Sequence, residues 1–240
     1  MRSAVTLTAL ALTAAGCVSV ARAPDRTELI RGMLASTVQL RGERDGIIRR
    51  AASGVVIATA PGSQRAWIVT ARHFIDPSPP QNIYVRLPGR MSVVPAVVAF
   101  VSPDRDLAIV EAELFDVAPA RLKMDAIIGD EIFVVAFPWG QRFTVVRGIV
   151  SQVGSITGVV GSARMVSASV SYGSSGGGVF DAQTGELLGI VEGYRTANVV
   201  IPEMKERVLE VPVAGETTLI SASAIHRFVV DSGLSDFLAR

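Results

Sequence analysis

Tyr172-Gly173-Ser174-Ser175-Gly176-Gly177-Gly178-Val179 is the stretch that decides how this chain is read. Its glycines leave the backbone free to make a tight, φ-positive turn around one serine. A serine hydroxyl is a weak nucleophile alone; it needs a neighbouring base and donors for the oxyanion that its attack creates. Gly173 lets the backbone coil so that its own N–H and that of Ser175 point to one spot, and Gly176 and Gly177 let a substrate approach without meeting side chains. Glycine–serine runs are also common as linkers, so the flanks carry weight. Met165–Val170 alternates like a strand before the run, and Val179-Phe180, a turn over Asp181–Glu186 and the apolar Leu187–Val191 follow it. A glycine loop held on a sheet fits these neighbours better than a linker does, and such loops commonly carry function.

A serine nucleophile requires a histidine, and the chain has two. His226, in Ser223-Ala-Ile-His-Arg-Phe228, falls in a helical pattern near the end and reads as a partly exposed helix residue. His73 directly follows the strand Ala66–Thr70, where a scaffold fixes it beside a cleft. A carboxylate must then set the imidazole tautomer and stabilise the imidazolium. Ser102-Pro103-Asp104-Arg105-Asp106-Leu107 offers two. Asp106 precedes an apolar strand and can be held beside the core, whereas Asp104, in the Pro103 turn, suits water or a cap.

Thr70-Ala71-Arg72-His73, Asp106-Leu107-Ala108-Ile109 and Gly173-Ser174-Ser175-Gly176-Gly177 occur in the order His, Asp, Ser. Ala52-Ser53-Gly54-Val55-Val56-Ile57 and the run from Gly129 to Gly140, followed by Val146–Ser151, complete the pattern. Together they resemble the trypsin-like serine endopeptidases of the chymotrypsin fold, in particular the disulfide-free bacterial Deg/HtrA branch, over roughly Ala35 to Gly233. The resemblance implies an all-β fold of two six-stranded antiparallel barrels with a short C-terminal helix, and catalysis in the cleft between them. It makes Ser175 the nucleophile, His73 the general base and then acid, Asp106 the orienting carboxylate, and the N–H groups of Gly173 and Ser175 the oxyanion hole. It also implies a pocket for the residue before the scissile bond, with its base near Ser169, Tyr172 at its edge and Val191, Glu192 and Gly193 as a wall. Ser169 is neutral and its surroundings are small or apolar, which suits Val, Ala or Leu; Glu192, on the face opposite Val191, would favour a basic side chain only if turned inward.

Two departures stand out. Ser174 replaces the usual Asn or Asp before the nucleophile, and Gly178 stands where proline or a small residue often follows, which predicts a looser turn. The chain also ends soon after the second barrel, leaving no room for a peptide-binding PDZ domain.

With 240 residues and 49% hydrophobic content, the chain can bury one sizeable core of two subdomains. A net charge of +1 provides no basic field for nucleic acid. Two distant histidines and one cysteine make no zinc site, and no cofactor is expected. Val, Ile, Thr and Gly throughout, with turn signals roughly every ten residues, read as all-β. Strands are expected near Thr37–Leu40, Gly54–Ala58, Trp67–Thr70, Ile83–Leu87, Val93–Ala99 and Leu107–Glu111 in a first barrel spanning about 35–113. After a link over Leu114–Asp125, a second barrel of about 126–220 takes Glu131–Ala136, Thr144–Val153, Gly158–Val160, Ser167–Val170, Leu187–Val191 and Thr218–Ile220. A closing helix, capped by Ser221 or Ser223 and packing Ile225, Phe228 and Val229, covers 221–233 before a tail of 234–240, while Val199–Glu216 reads as a surface loop.

The N-terminus reads as a processing signal: Arg2, an apolar Ala4–Ala15 too short to span a bilayer, then Ala14-Ala15-Gly16-Cys17. This resembles a lipoprotein lipobox, with residues 1–16 the signal and 17–34 a lipidated tether. An ordinary cleavage site after Ala23 is the rival, disfavoured by Pro24. Either way the chain is exported, anchored through Cys17 to a membrane facing the periplasm or exterior, or soluble there. The expected activity is peptide-bond hydrolysis through an acyl-enzyme, with a polypeptide as partner. The alternatives are an idle binding or scaffold lipoprotein of the same fold, or an α/β-hydrolase esterase. The esterase elbow needs a helix after the serine and its histidine last in the chain, and this sequence has neither.

Overall fold

The computed structural model describes residues 25–155, 158–200 and 208–239. The signal and Cys17 lie outside the described residues. Helix α1 (Arg26–Ser36) leads into β1 (Thr37–Arg44), β2 (Ile47–Thr59), β3 (Arg65–Ala71), β4 (Asn82–Arg86), β5 (Val94–Val101) and β6 (Leu107–Glu113). These six close an antiparallel barrel in the order β1-β2-β3-β6-β5-β4. After β7 (Ala126–Ile127) come β8 (Glu131–Ala136), β9 (Thr144–Val153), β10 (Val160–Gly161), β11 (Ala163–Val166), β12 (Gly178–Asp181), β13 (Leu187–Val200) and β14 (Val208–Ser221). Six of them close a second barrel, β11-β14-β13-β12-β8-β9, while β7 and β10 pair outside it. The fold is the all-β double barrel expected, finished by α2 (Ala222–Asp231), whose N-cap Ser221 accepts from the Ala224 N–H.

The uninterrupted apolar run Val55-Val56-Ile57 has a physical reason. A strand that faces a barrel interior on one side and the neighbouring barrel on the other buries both faces, so its side chains do not alternate with polar ones. Val56, Ile68 and Val110 pack inside the first barrel, whereas Val55, Ile57, Val69 and Ile109 meet Val135, Phe180 and Ile190 of the second. Met33 of α1 and Ile225 and Val229 of α2 join that shared core. The final residues pack back as well: Phe237 stacks on Trp67, with ring centroids 4.9 Å apart, and Leu238 bridges to Ala58.

Three expectations are corrected. The second barrel uses β11 and β12, not Gly158–Val160 or Ser167–Val170. The Ser167 hydroxyl itself accepts from the Ile149 N–H at 3.0 Å, standing in for a ladder acceptor and ending the strand. Val199–Glu216 is no loop in its described part: Thr196–Val200 pairs with Val208–Pro212 in a long hairpin. The β-branched Val211 and Val213 suit such a strand, and residues 201–207 lie outside the described part. Finally, Gly178 does not loosen its turn but starts β12, where a Cβ would lie 2.3 Å from the Phe180 ring.

The link between the barrels is clamped. The Lys123 N–H donates to Leu187 O at 2.9 Å, and Lys123 Nζ meets Asp181 Oδ2 at 2.5 Å on a side chain only 5% exposed. Asp181 also accepts from the N–H groups of Gln183 and Thr184. Burial pushes the Asp181 carboxyl up, but these bonds pull it down further, to below its ordinary value. Burial lowers Lys123, and Asp181, together with Asp130 and Glu186, raises it by more. Asp181→Asn leaves the Lys123 ammonium, 31% exposed, with only the Asp130 carboxylate 3.9 Å away, and is expected to cost about 1–2 kcal/mol in urea unfolding. Because the folded carboxyl titrates below the unfolded value of about 3.9, its contribution is complete above that pH and disappears as pH falls through the folded value. The parent should therefore lose stability below about pH 4 more steeply than the variant. Equal slopes would show that this pair contributes nothing.

Candidate active site

Antiparallel register brings His73 and Asp106 together. Strands β3 and β6 pair through Ala71 and Leu107, so the residues just after one and just before the other emerge at the same barrel end. The Arg72 N–H there donates to Asp106 O at 3.0 Å. His73 sits in a single 3-10 turn, and Asp106 grips it twice: Oδ1 accepts from the His73 backbone N–H at 2.8 Å, and Oδ2 lies 2.6 Å from Nδ1. An ionised carboxylate only accepts, so Nδ1 carries the proton and Nε2 is left with its lone pair. Asp104 accepts from the Ser102 hydroxyl and stays in the turn, as expected.

Ser175 comes from the other barrel, on the loop that enters β12. Gly173 (φ +87°) and Gly176 (φ +79°) shape that loop. A side chain on either would be strained, and a Cβ on Gly176 would fall 2.2 Å from Ser53 O. One side of the loop is tied to β13 by Gly176 N–H to Val191 O at 2.8 Å, and the other to β2 by Ser53 N–H to Ser175 O at 2.9 Å. Among the described residues, the N–H groups of Gly173 and Ser175 donate to no protein acceptor. His73, Phe74, Tyr172, Gly173 and Ser175 line one cavity of about 300 Å³, with Arg50, Ala51 and Ala52 of β2 as its far wall. No hydrogen bond joins Ser175 Oγ to the imidazole among the described residues.

Residues 52–190 match the trypsin-like peptidase domain. The chain belongs to the trypsin-like peptidase family. It is a serine-type endopeptidase, a hydrolase acting on polypeptides. Among solved structures, the serine endoprotease from Yersinia pestis is similar, with a TM-score of 0.64 and 22% identity, covering 89% of this chain and 68% of that one. A protein from M. tuberculosis H37Rv, solved as an inactive serine-to-alanine mutant, gives a TM-score of 0.63 and 19% identity over 92% of this chain and 98% of its own. At these identities the likeness concerns the fold.

Of the residues expected in the peptidase's pocket, Tyr172 alone lines the cavity shared by His73 and Ser175. Val191 is interior, at 1% exposure. Glu192, at a register shift between Val191 and Gly193, lines a second cavity of about 450 Å³ behind Asp106, together with Arg164 and Arg227. Ser169 lies exposed beyond the end of β11, and Gly193 pairs with Thr218 in β14. His226 sits on α2 and does not line the cavity of His73 and Ser175.

Ser53 has no role that its sequence neighbours announce, and the structure makes it the joint between the barrels. Its hydroxyl donates to Gly173 O at 2.9 Å and accepts from the Phe137 N–H at 2.8 Å, and its carbonyl accepts from the Thr70 hydroxyl at 2.8 Å. With its own N–H on Ser175 O, a fully buried serine of the first barrel holds the second barrel's loop at both ends. Its small, polar, neutral side chain in the otherwise apolar stretch Ala51–Ala58 is the signal that could have marked it. Trp139 is a second residue that sequence did not single out: it stacks on Tyr172 with ring centroids 5.5 Å apart, at a backbone φ of +56°, and its N–H donates to Tyr172 O at 2.7 Å.

Proposed function

We propose that this peptidase cleaves peptide bonds through an acyl-enzyme formed on Ser175. The observation that carries the reading is the double grip of Asp106 on His73, which leaves Nε2 as a base in the cavity that Ser175 lines. Ser175 Oγ attacks the substrate carbonyl carbon and its proton passes to Nε2. The negative charge that develops on the carbonyl oxygen is met by the N–H groups of Gly173 and Ser175, which have no protein acceptor of their own among the described residues. The intermediate collapses with the C–N bond breaking, the imidazolium gives its proton to the leaving amine, and water repeats the sequence on the ester. The Ser175–His73 hydrogen bond forms in the Michaelis complex, a tightening common when such sites fill. Ser174, 2% exposed, lies within the loop rather than facing substrate. On the acyl side the proposed preference for a small-to-medium apolar side chain rests on the neutral, exposed Ser169, since Ala168 and Val191 are interior.

A serine-directed phosphonate tests this reading. It should attach to Ser175, located by peptide mass spectrometry, and labelling elsewhere or none at all would leave the fold as a scaffold without turnover.

The reading extends to export. Cys17, the chain's sole cysteine, stands where a lipobox places it, and diacylation with N-acylation would suffice for stable membrane attachment. The mature protein should begin at a Cys17 that carries acyl chains. A mass spectrum showing an unmodified start beyond Cys17 would make it a soluble exported enzyme instead. Among the described residues no helix is long and apolar enough to cross a membrane.

A further inference from the structure

Arg50 stands on the wall of the cavity that holds His73 and Ser175, and the mechanism above does not use it. Its Nη1 donates to His73 O at 3.1 Å and to Phe74 O at 3.0 Å, so two carbonyls of the histidine turn hold the guanidinium in place. Those bonds employ one nitrogen; Nη2 and Nε have no acceptor among the described residues, and no carboxylate lies within ion-pairing distance of Arg50 there. On its other side Arg50 lines a small cavity of about 160 Å³ with Arg44, Arg49 and Glu43. With Arg44, Arg49 and Arg50 set against Glu43 alone, the lining of that cavity is net positive. A preorganised, half-buried guanidinium with open donors beside a reacting bond is suited to a carboxylate, which it can take in a planar fork.

Its position says which half of the substrate it meets. The Ser175 loop is flanked on one side by β13 at Val191 and on the other by β2 at Ser53. If the acyl half runs along β13, as the proposed pocket at Ser169 requires, the leaving half crosses β2 past Phe74 and Arg50. We infer that Arg50 is a specificity residue that selects a carboxylate on the leaving-group side, within the first two positions after the scissile bond. This rests on Ser175 being the nucleophile. The carboxylate can belong to an Asp or Glu side chain or to a free chain terminus.

The test uses matched peptides with Glu, Gln or Lys at each of those two positions, one set amidated at the C-terminus and one ending there as the free acid. For the parent, kcat/KM should favour the carboxylate over its neutral partner about tenfold, the scale of one charge-assisted bond at a half-exposed site, and the advantage should shrink in high salt. In Arg50→Gln the ratio should fall to about one, and in Arg50→Glu it should invert toward Lys. A role confined to holding the His73 turn would slow every peptide alike and leave the ratio unchanged. Selectivity in the amidated set identifies an acidic side chain; selectivity confined to the free acids identifies a chain terminus. A parent ratio near one, or a ratio that survives Arg50→Gln, overturns the inference. Fluorescence titration of the same peptides onto Ser175→Ala protein measures the preference without turnover. A parent that hydrolyses nothing thus counts against the Ser175 reading, while the binding ratio still decides the one for Arg50.

Discussion

Ser175→Ala is expected to lower turnover by a factor on the order of a million and to abolish phosphonate labelling, with the fold intact. Ser175 lines the cavity with His73 whereas its neighbour Ser174 is buried, and the backbone bonds to Ser53 and Val191 that shape the loop do not involve the Ser175 hydroxyl. His73→Ala should be of similar severity, because members of a triad act as a unit and the loss of either the base or the nucleophile ends the same step. His226→Ala, on α2 and outside the cavity of His73 and Ser175, provides the comparison and should change turnover little. Residual activity in Ser175→Ala near that of the parent would remove the mechanism, and circular dichroism of each variant separates this from misfolding.

Asp106→Asn should lower turnover by about ten-thousand-fold with a near-normal KM. Both carboxylate oxygens face donors, the His73 backbone N–H and Nδ1. An amide has one acceptor and one NH₂ group, so it must present the NH₂ to one of them. Facing Nδ1, the NH₂ stabilises the tautomer with its proton on Nε2, where the ring can no longer accept from Ser175. Facing the backbone N–H, it opposes donor to donor and loosens the turn. Asp106→Glu keeps the charge but displaces it, and should fall between the two. If Asp106→Asn loses less than tenfold, the carboxylate holds the loop only. Asp104→Asn, altering a turn contact to Ser102, should be silent.

Much of this is legible in the amino-acid chain itself. The all-β class follows from the spread of Val, Ile and Thr between turn signals. The residues at the candidate site follow from composition alone to a large degree: two histidines leave little choice of base, and one glycine-bracketed serine stands between β segments. Asp106 is preferred to Asp104 because it directly precedes an apolar strand. These are local signals, set by which residue types the backbone and the chemistry tolerate at neighbouring positions.

What sequence could not supply is the arrangement of groups far apart in the chain. Residues 167–170 have the alternation of a strand, yet the barrel closes through Ala163–Val166, because the Ser167 hydroxyl satisfies the Ile149 N–H and ends the ladder there. Val199–Glu216 carries two prolines and mixed charge, yet long-range pairing across β13 and β14 overrides that local reading. Glu192 and Val191 are adjacent in sequence, but at a register shift in β13 one lines a cavity and the other the core. The roles of Ser53 and Arg50 arise only when the first barrel's β2 is laid against the second barrel's serine loop and the histidine turn. Residue chemistry marks which side chains can act; the closing of two barrels against each other decides which of them meet, because that contact is made by groups more than a hundred residues apart in the case of Ser53 and Gly173.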